Sequence, residues 1–301
     1  MMRAWISAAR PQTLPLAMSC LISGSAMAFA YGAFSWPVLW WSLLTTLLLQ
    51  VLSNFANDLG DSEKGVDNSK RIGPMRAVQS GIISKVQMRV AVIWTSIIAL
   101  GSGLILLWTA FGAFNAYFFT FLLLGICAIA SAIIYTMGKH AYGYRGLGDA
   151  FVLVFFGWTG VLGVFFLHTR VMEPLQWLPA TAIGLLAAGV LNLNNLRDID
   201  NDRASGKRTL AVKLGPRNTR MYHLVLLDTS FLCMWLYGYF SGMSWVYITL
   251  AGYLPLVFHL VFVFKSVESA GLIPALKQLA LITFFISLLF ALGHILHINA
   301  G

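Results

Sequence analysis

Asn54, Asp58 and Asp61 form one polar set and Asn194, Asp198 and Asp202 another, each where an apolar stretch ends in a chain with little other acid. Within each set the residues step by three or four, so on a helix all three side chains project from one face. Asp and Asn supply hard oxygen ligands. Two such stripes facing each other at the polar end of a bundle suit magnesium, which keeps several waters and takes phosphate oxygens. Basic residues follow closely: Lys64, Lys70, Arg71 and Arg76 after the first set, and Arg197, Arg203, Lys207 and Arg208 around the second. Cations placed there neutralise the phosphate charge that metal ions leave over. The pattern is shaped for a diphosphate.

The elements that must hold these residues are membrane helices. The chain has 301 residues, 58% hydrophobic and 10% charged, with a mean hydropathy of +0.77, outside the range of soluble domains. Nine apolar runs are long enough to cross a bilayer: about 12–31, 36–57, 88–108, 113–136, 149–168, 174–197, 221–240, 244–264 and 279–298. The expected fold is all-α, a polytopic bundle of nine transmembrane helices read as one membrane-embedded domain over 1–301. The first run is read as a span and not as a cleaved signal peptide, because Arg10-Pro11 delays it.

Charge layout sets the orientation. Nine spans put 19 of the 20 Lys and Arg on one face and leave only Arg170 on the other. The positive-inside rule makes the basic face cytoplasmic, with the N-terminus inside and the C-terminus outside. The net charge of +9 therefore reports topology and not nucleic-acid binding. Trp36, Trp40, Trp41, Trp108, Trp177 and Trp245 fall at the outer ends of their spans, as an interfacial aromatic belt does. Topology demands no acid, yet seven of the eleven Asp and Glu lie in 58–67 and 198–202.

Two inner connections, after Asp58 and after Asp198, are long and hold most of the charge. Ser84-Lys85-Val86-Gln87 has the spacing of a capping box opening the third span, and Gly215-Pro216 can stop a short helix begun near Thr209. Such ordered segments would form cytoplasmic cap loops over a site at the membrane surface. The clusters lie four spans apart, which permits a parallel internal duplication. Cys20, Cys127 and Cys233 read as packing residues, and His259 and His294 as satisfied core histidines. Asp228, inside the seventh span, is a functional candidate by default, or a hydrogen-bonding partner for a neighbouring helix.

Asn57-Asp58-Leu59-Gly60-Asp61 and Asp198-Ile199-Asp200-Asn201-Asp202, with Gly206-Lys207-Arg208-Thr209-Leu210-Ala211 beyond, resemble the two aspartate-rich motifs of the UbiA superfamily of intramembrane prenyltransferases. The resemblance covers nearly the whole chain. More narrowly, Arg10-Pro11-Gln12-Thr13-Leu14-Pro15, Arg71-Ile72-Gly73-Pro74-Met75-Arg76 and the stretch from Tyr135 to Asp149 are similar to the branch that prenylates 1,4-dihydroxy-2-naphthoate in menaquinone biosynthesis. One departure stands out. The common first motif has a further Asp where Gly65 stands here, and Asp67 follows. Either Asp67 substitutes through a different loop path or the first site uses fewer protein ligands.

The resemblance implies an enzyme that uses Mg2+, with two ions expected, to transfer the chain of a polyprenyl diphosphate to an aromatic acceptor, with decarboxylation when the acceptor is the naphthoate. It assigns metal ligation to Asn54, Asp58, Asp61, Asn194, Asp198 and Asp202, the four aspartates being catalytic. Lys64, Arg71, Arg76, Arg197 and Lys207 would meet the diphosphate. Tyr135, Lys139, Tyr142 and Asp149 would form the acceptor site, with Lys139 or Arg145 meeting a carboxylate and Asp149 orienting a ring hydroxyl. The alternatives are another acceptor, 4-hydroxybenzoate or homogentisate, and a divalent-cation transporter. A transporter should carry polar groups across the bilayer, whereas both clusters here gather at one surface.

Overall fold

The computed structural model describes residues 1–68, 72–266 and 269–300. Among these residues nine helical segments are long and apolar enough to span a bilayer, as expected, and no strand is present. We label the helices α1 (Met2–Ala9), α2 (Leu14–Ala30), α3 (Trp36–Glu63), α4 (Lys85–Phe111), α5 (Ala116–Ile134), α6 (Gly148–Thr169), α7 (Trp177–Arg197), α8 (Ile199–Ala204), α9 (Leu210–Ser241), α10 (Leu254–Lys265) and α11 (Ile273–Ala300). The protein is a multi-pass membrane protein.

Local chemistry sets the boundaries. The Ser84 hydroxyl accepts from the Gln87 amide while Gln87 Oε1 accepts from the Ser84 amide, the reciprocal capping box expected for α4. Asn115 caps α5, and Gly112 and Gly242 end α4 and α9 in the left-handed conformation. Thr209 caps α9, whose first turns break from the rest at Gly215 (φ 78°) before Pro216. That is the short helix and stop anticipated from Gly215-Pro216, although the stretch 210–220 runs directly into the span.

Two features lie outside the sequence expectations. The residues before Arg10 form α1, which packs Trp5 edge-on to Phe55 of α3 with ring centroids 5.6 Å apart. Arg10 then turns the chain in the left-handed region, φ 51°. The middle of α6, Leu153–Leu162, is wound as a π-helix, a rare geometry that recurs at functional sites.

Packing closes the helices around a central space. α3 packs on α4, α5 on both, α7 between α6 and α9, and α11 on α2 and α7. Helices in lipid approach through small residues, and α6 meets α7 at Gly157 and Gly184. A Cβ on Gly184 would stand 2.9 Å from Gly157 Cα and 3.0 Å from the Leu153 carbonyl oxygen. Gly184→Ala must therefore push the two backbones apart. We expect it to cost about 1–3 kcal/mol, read as a lower thermal-unfolding midpoint in detergent; an unchanged midpoint would show that the helices do not touch there.

The remaining singled-out residues sit as follows. Cys20 is buried, Cys233 half-buried and Cys127 exposed, and none is bonded to another. His259 bridges His223 (3.1 Å) and Gln278 (3.1 Å), and His294 meets the Tyr237 hydroxyl at 2.9 Å. Both are satisfied core residues. Asp228 lies on the exposed side of α9, away from the central space.

Candidate active site

A cavity of about 740 Å3 fills the centre of the bundle. Its lining runs from Asp61 to Ser42 along α3, about 28 Å of helix rise. Charge gathers at one end, where Asn54, Asp58, Asp61, Arg76, Asn194, Arg197 and Lys207 contribute. The rest carries no charge and is mostly apolar, with Phe121, Gly125, Leu104 and Phe155 among the wall residues, together with the hydroxyls of Ser42, Thr45, Thr46 and Thr159. Such a space suits a long hydrocarbon with a charged head.

The first stripe stays helical to its end, so Asn54, Asp58 and Asp61 share a face and are all buried, at 3%, 1% and 2% exposure. Asn54 donates from Nδ2 to the Ala9 carbonyl (2.9 Å) and to Thr13 Oγ1 (3.1 Å), tying the α1–α2 turn to the site. Asp58 accepts from the backbone amides of Ala77 and Val78, and its Oδ1 has no hydrogen-bond partner. Asp61 accepts from Arg76 Nη1 at 2.9 Å and from the Tyr144 hydroxyl at 2.8 Å.

The second stripe bends at Asp198, where α7 ends and α8 begins. Arg197 closes on it, donating to both Asp198 oxygens (2.8 and 2.6 Å) and to Asn194 Oδ1 (2.9 Å). Each carboxylate oxygen keeps a lone pair for another partner. Asp202 is 2% exposed, and its Oδ2 has no hydrogen-bond partner. Burial, with the charges of Asp198 and Asp61 adding to it and Lys207 and Arg76 opposing, pushes its pKa up to about 7. Such a carboxylate favours an added cation.

The two motifs, far apart in the chain, meet. Asn201 Nδ2 donates to the Val66 carbonyl at 2.9 Å, and Lys207 Nζ lies 3.8 Å from both Asp61 Oδ1 and Asp202 Oδ1. At that distance the ammonium bridges by charge without a hydrogen bond to either. Arg76 is held by Asp61 and, at 3.3 Å from Nε, by Asp67. The loop thus returns Asp67, with its side chain fully buried, to the cluster that Gly65 leaves.

Other expectations fare differently. Lys64 sits 4.0 Å from the Tyr144 ring centroid, a cation–π contact beside Asp61 and outside the cavity lining. Arg71 lies outside the described residues. Tyr135 and Tyr142 line the cavity edge to face, and Tyr142 stacks on Phe151 with centroids 3.9 Å apart. Asp149 is 5% exposed, with neither oxygen hydrogen-bonded, in the first turn of α6 beside Tyr135. Lys139 is exposed and Arg145 bonds His140; neither lines the cavity. The short connection after α5 carries both outward, away from the cavity.

Two residues were missed. Tyr144 anchors Asp61, and burial followed by the Asp61 charge raises its pKa, so the phenol stays a donor. Arg10 lines the cavity close to Asp58 and Asp61. Its place after a short helix gave no periodic signal.

A membrane bundle with two facing acidic motifs at the head of an apolar cavity defines an intramembrane transferase site, and the chain belongs to the UbiA prenyltransferase family, whose model matches residues 16–289. It is 43% identical over 295 residues to a Haemophilus influenzae protein named 1,4-dihydroxy-2-naphthoate octaprenyltransferase, covering 97% of this chain and 96% of that one. An Escherichia coli protein of the same name is 44% identical over 292 residues, covering 97% and 94%. Among solved structures, a UbiA homolog from Aeropyrum pernix K1 superposes with a TM-score of 0.67 at 18% identity, covering 95% of this chain and 97% of that one. A homolog from Archaeoglobus fulgidus, bound to DMAPP and Mg2+, does so at 0.58 and 18%, covering 98% and 99%.

Proposed function

We propose that this protein transfers a polyprenyl group from polyprenyl diphosphate to 1,4-dihydroxy-2-naphthoate, with loss of carbon dioxide, giving demethylmenaquinol for menaquinone synthesis. The observation that carries the reading is the meeting of two buried acidic motifs at the charged head of one apolar cavity. The choice of acceptor rests on the relatives that share more than 40% of its residues.

The residues fit Mg2+. Asp58 Oδ1 and Asp202 Oδ2 are buried hard oxygens without hydrogen-bond partners. Among the described residues no three His, Cys, Asp or Glu side chains converge into a cage, and magnesium that completes its shell with phosphate and water needs none. Asp58, Asp61, Asp198 and Asp202, with Asn54 and Asn194, would hold two ions. When bound, the ions neutralise the diphosphate and stabilise it as a leaving group.

The chain's own residues do the rest. Arg76, Lys207 and Lys64 balance the remaining phosphate charge, with Arg71 assigned to the same role, while Asp67 and Tyr144 position Arg76 and Asp61. Arg197 steadies Asn194 and Asp198 against the diphosphate. The apolar wall keeps water from the allylic cation, and Phe155, Phe156 and Tyr142 turn aromatic side chains toward it. Tyr135 and Tyr142 shape the ring pocket, and Asp149 holds a ring hydroxyl. The new C–C bond forms at the carbon bearing the carboxylate as the C–O bond to diphosphate breaks. Release of carbon dioxide returns the electron pair to the ring, so no ring proton needs a base.

By the positive-inside distribution the site faces the cytoplasm, with the N-terminus inside and the C-terminus outside. Residues 1–301 act as one membrane-embedded unit, and the segments after Asp61 and Asp202 cap it. The charged lining, confined to one end of the cavity, speaks against an ion path across the bilayer.

Purified protein in nanodiscs, given labelled polyprenyl diphosphate and separate acceptors, tests this. We expect turnover with the naphthoate, stopped by chelator and restored by Mg2+. Turnover of 4-hydroxybenzoate or homogentisate alone would replace the acceptor; Mg2+ flux into sealed vesicles without prenyl transfer would replace the class.

A further inference from the structure

Among the described residues five Lys and Arg side chains line the cavity: Arg10, Arg76, Arg197, Lys207 and Lys277. Four are committed to carboxylates. Arg76 is paired with Asp61 and Asp67, Arg197 with Asp198, Lys207 with Asp61 and Asp202, and Arg10 faces Asp58 and Asp61. Lys277 alone among them makes no ion pair or hydrogen bond within the described residues.

Its surroundings differ from those of the acidic head. Lys277 lies one turn inside α11, which packs on α2 and α7, and these three helices contribute Ala17, Val190, Leu191, Ile273 and Ala280 to the lining. These five are apolar, and the charged lining residues of the same helices are Lys277 and, in the acidic head, Arg197. The opposite wall, on α4 and α5, is apolar and carries no charge. The cavity therefore offers two unlike apolar walls beneath one charged head, as a reaction between two hydrophobic substrates requires.

We propose that the α2–α7–α11 side admits the aromatic acceptor and that Lys277 binds its carboxylate. This rests on the acceptor reading above and supplies the cation that Lys139 and Arg145, turned away from the cavity, do not. A flat fused ring matches small and branched side chains, and an ammonium with no internal partner is matched by a carboxylate with none of its own. A lysine near the end of a membrane helix often only snorkels to the interface. Lys277 and Lys265 are both exposed lysines near helix ends, and what separates them is that Lys277 lines the cavity while Lys265, at the end of α10, does not.

The test uses the full chain in nanodiscs, with Lys277→Ala, Lys277→Arg and Lys265→Ala. Equilibrium binding of 1-hydroxy-2-naphthoate and of 1-naphthol is measured beside the Michaelis constants of both substrates. A charge-assisted contact predicts that Lys277→Ala weakens naphthoate binding and raises the acceptor KM about tenfold or more. Naphthol binding and the donor KM should stay within about twofold of wild type, and Lys277→Arg should restore most of the loss. Lys265→Ala should bind both ring compounds as wild type does. Unchanged naphthoate binding in Lys277→Ala, or an equal loss in Lys265→Ala, overturns the proposal. Failure of the proposed function is seen separately, as wild-type protein that binds naphthoate but does not prenylate it.

Discussion

Asp58→Ala or Asp198→Ala is expected to lower prenyl transfer at least about a thousandfold, the scale of losing a main electrostatic stabiliser of the leaving group, while the protein remains inserted and folded. Asp58 supports little packing. Its Oδ1 has no hydrogen-bond partner, its hydrogen bonds come from two backbone amides, and Arg76 and Arg10 act on it through charge. Asp198 is gripped by Arg197, which also holds Asn194, so its loss leaves that arginine one acceptor. Turnover at limiting Mg2+ should collapse in both variants; Asp58→Ala should melt close to wild type, while Asp198→Ala, which leaves the buried Arg197 without its carboxylate, should melt lower yet still elute as folded protein. Near-normal turnover in either would remove that aspartate from the site.

Arg76→Met should act on stability and activity together. The guanidinium is buried and ties Asp61, Asp67 and the Asn57 carbonyl into one unit. Burial opposes its charge, yet Asp61, Asp67 and Asp58 outweigh that and raise its pKa. Removing one partner of a buried ion pair typically costs about 3–5 kcal/mol, because the remaining charge stays desolvated. The unfolding midpoint should therefore drop by several degrees, and transfer should fall at least about a hundredfold. Arg76→Lys keeps the charge without the two-pronged geometry and should lie between. A Met variant as stable as wild type would mean that the first loop does not fold onto Asp61.

Much of this was legible in the residues because it is local. Nine spans follow from apolar length, and the stripes of Asn54, Asp58 and Asp61 follow from helical spacing. The α4 capping box and the break at Gly215-Pro216 follow from backbone chemistry at single positions. What was not legible depends on distance in the chain. Tyr144 was overlooked since its hydroxyl finds Asp61, 83 residues away, and nothing near Tyr144 signals that. The eight-residue α1 is too short to register as a span. Lys139 drew attention as the nearest cation to Tyr135 and Tyr142, but closeness in sequence does not decide which way a loop turns. Lys277, more than a hundred residues farther on, lines the cavity, and Lys139 does not. The meeting of Asn201 with Val66 joins segments 135 residues apart, and no periodicity encodes it.

A single diphosphate gripped from both sides is most directly tested by binding. Wild-type protein, Asp58→Ala and Asp198→Ala would each be titrated with a labelled, non-ionising polyprenyl diphosphate analogue, with and without Mg2+. A shared grip predicts Mg2+-dependent binding in wild type that is lost when either motif is broken. Full Mg2+-dependent binding after the loss of one aspartate would contradict it.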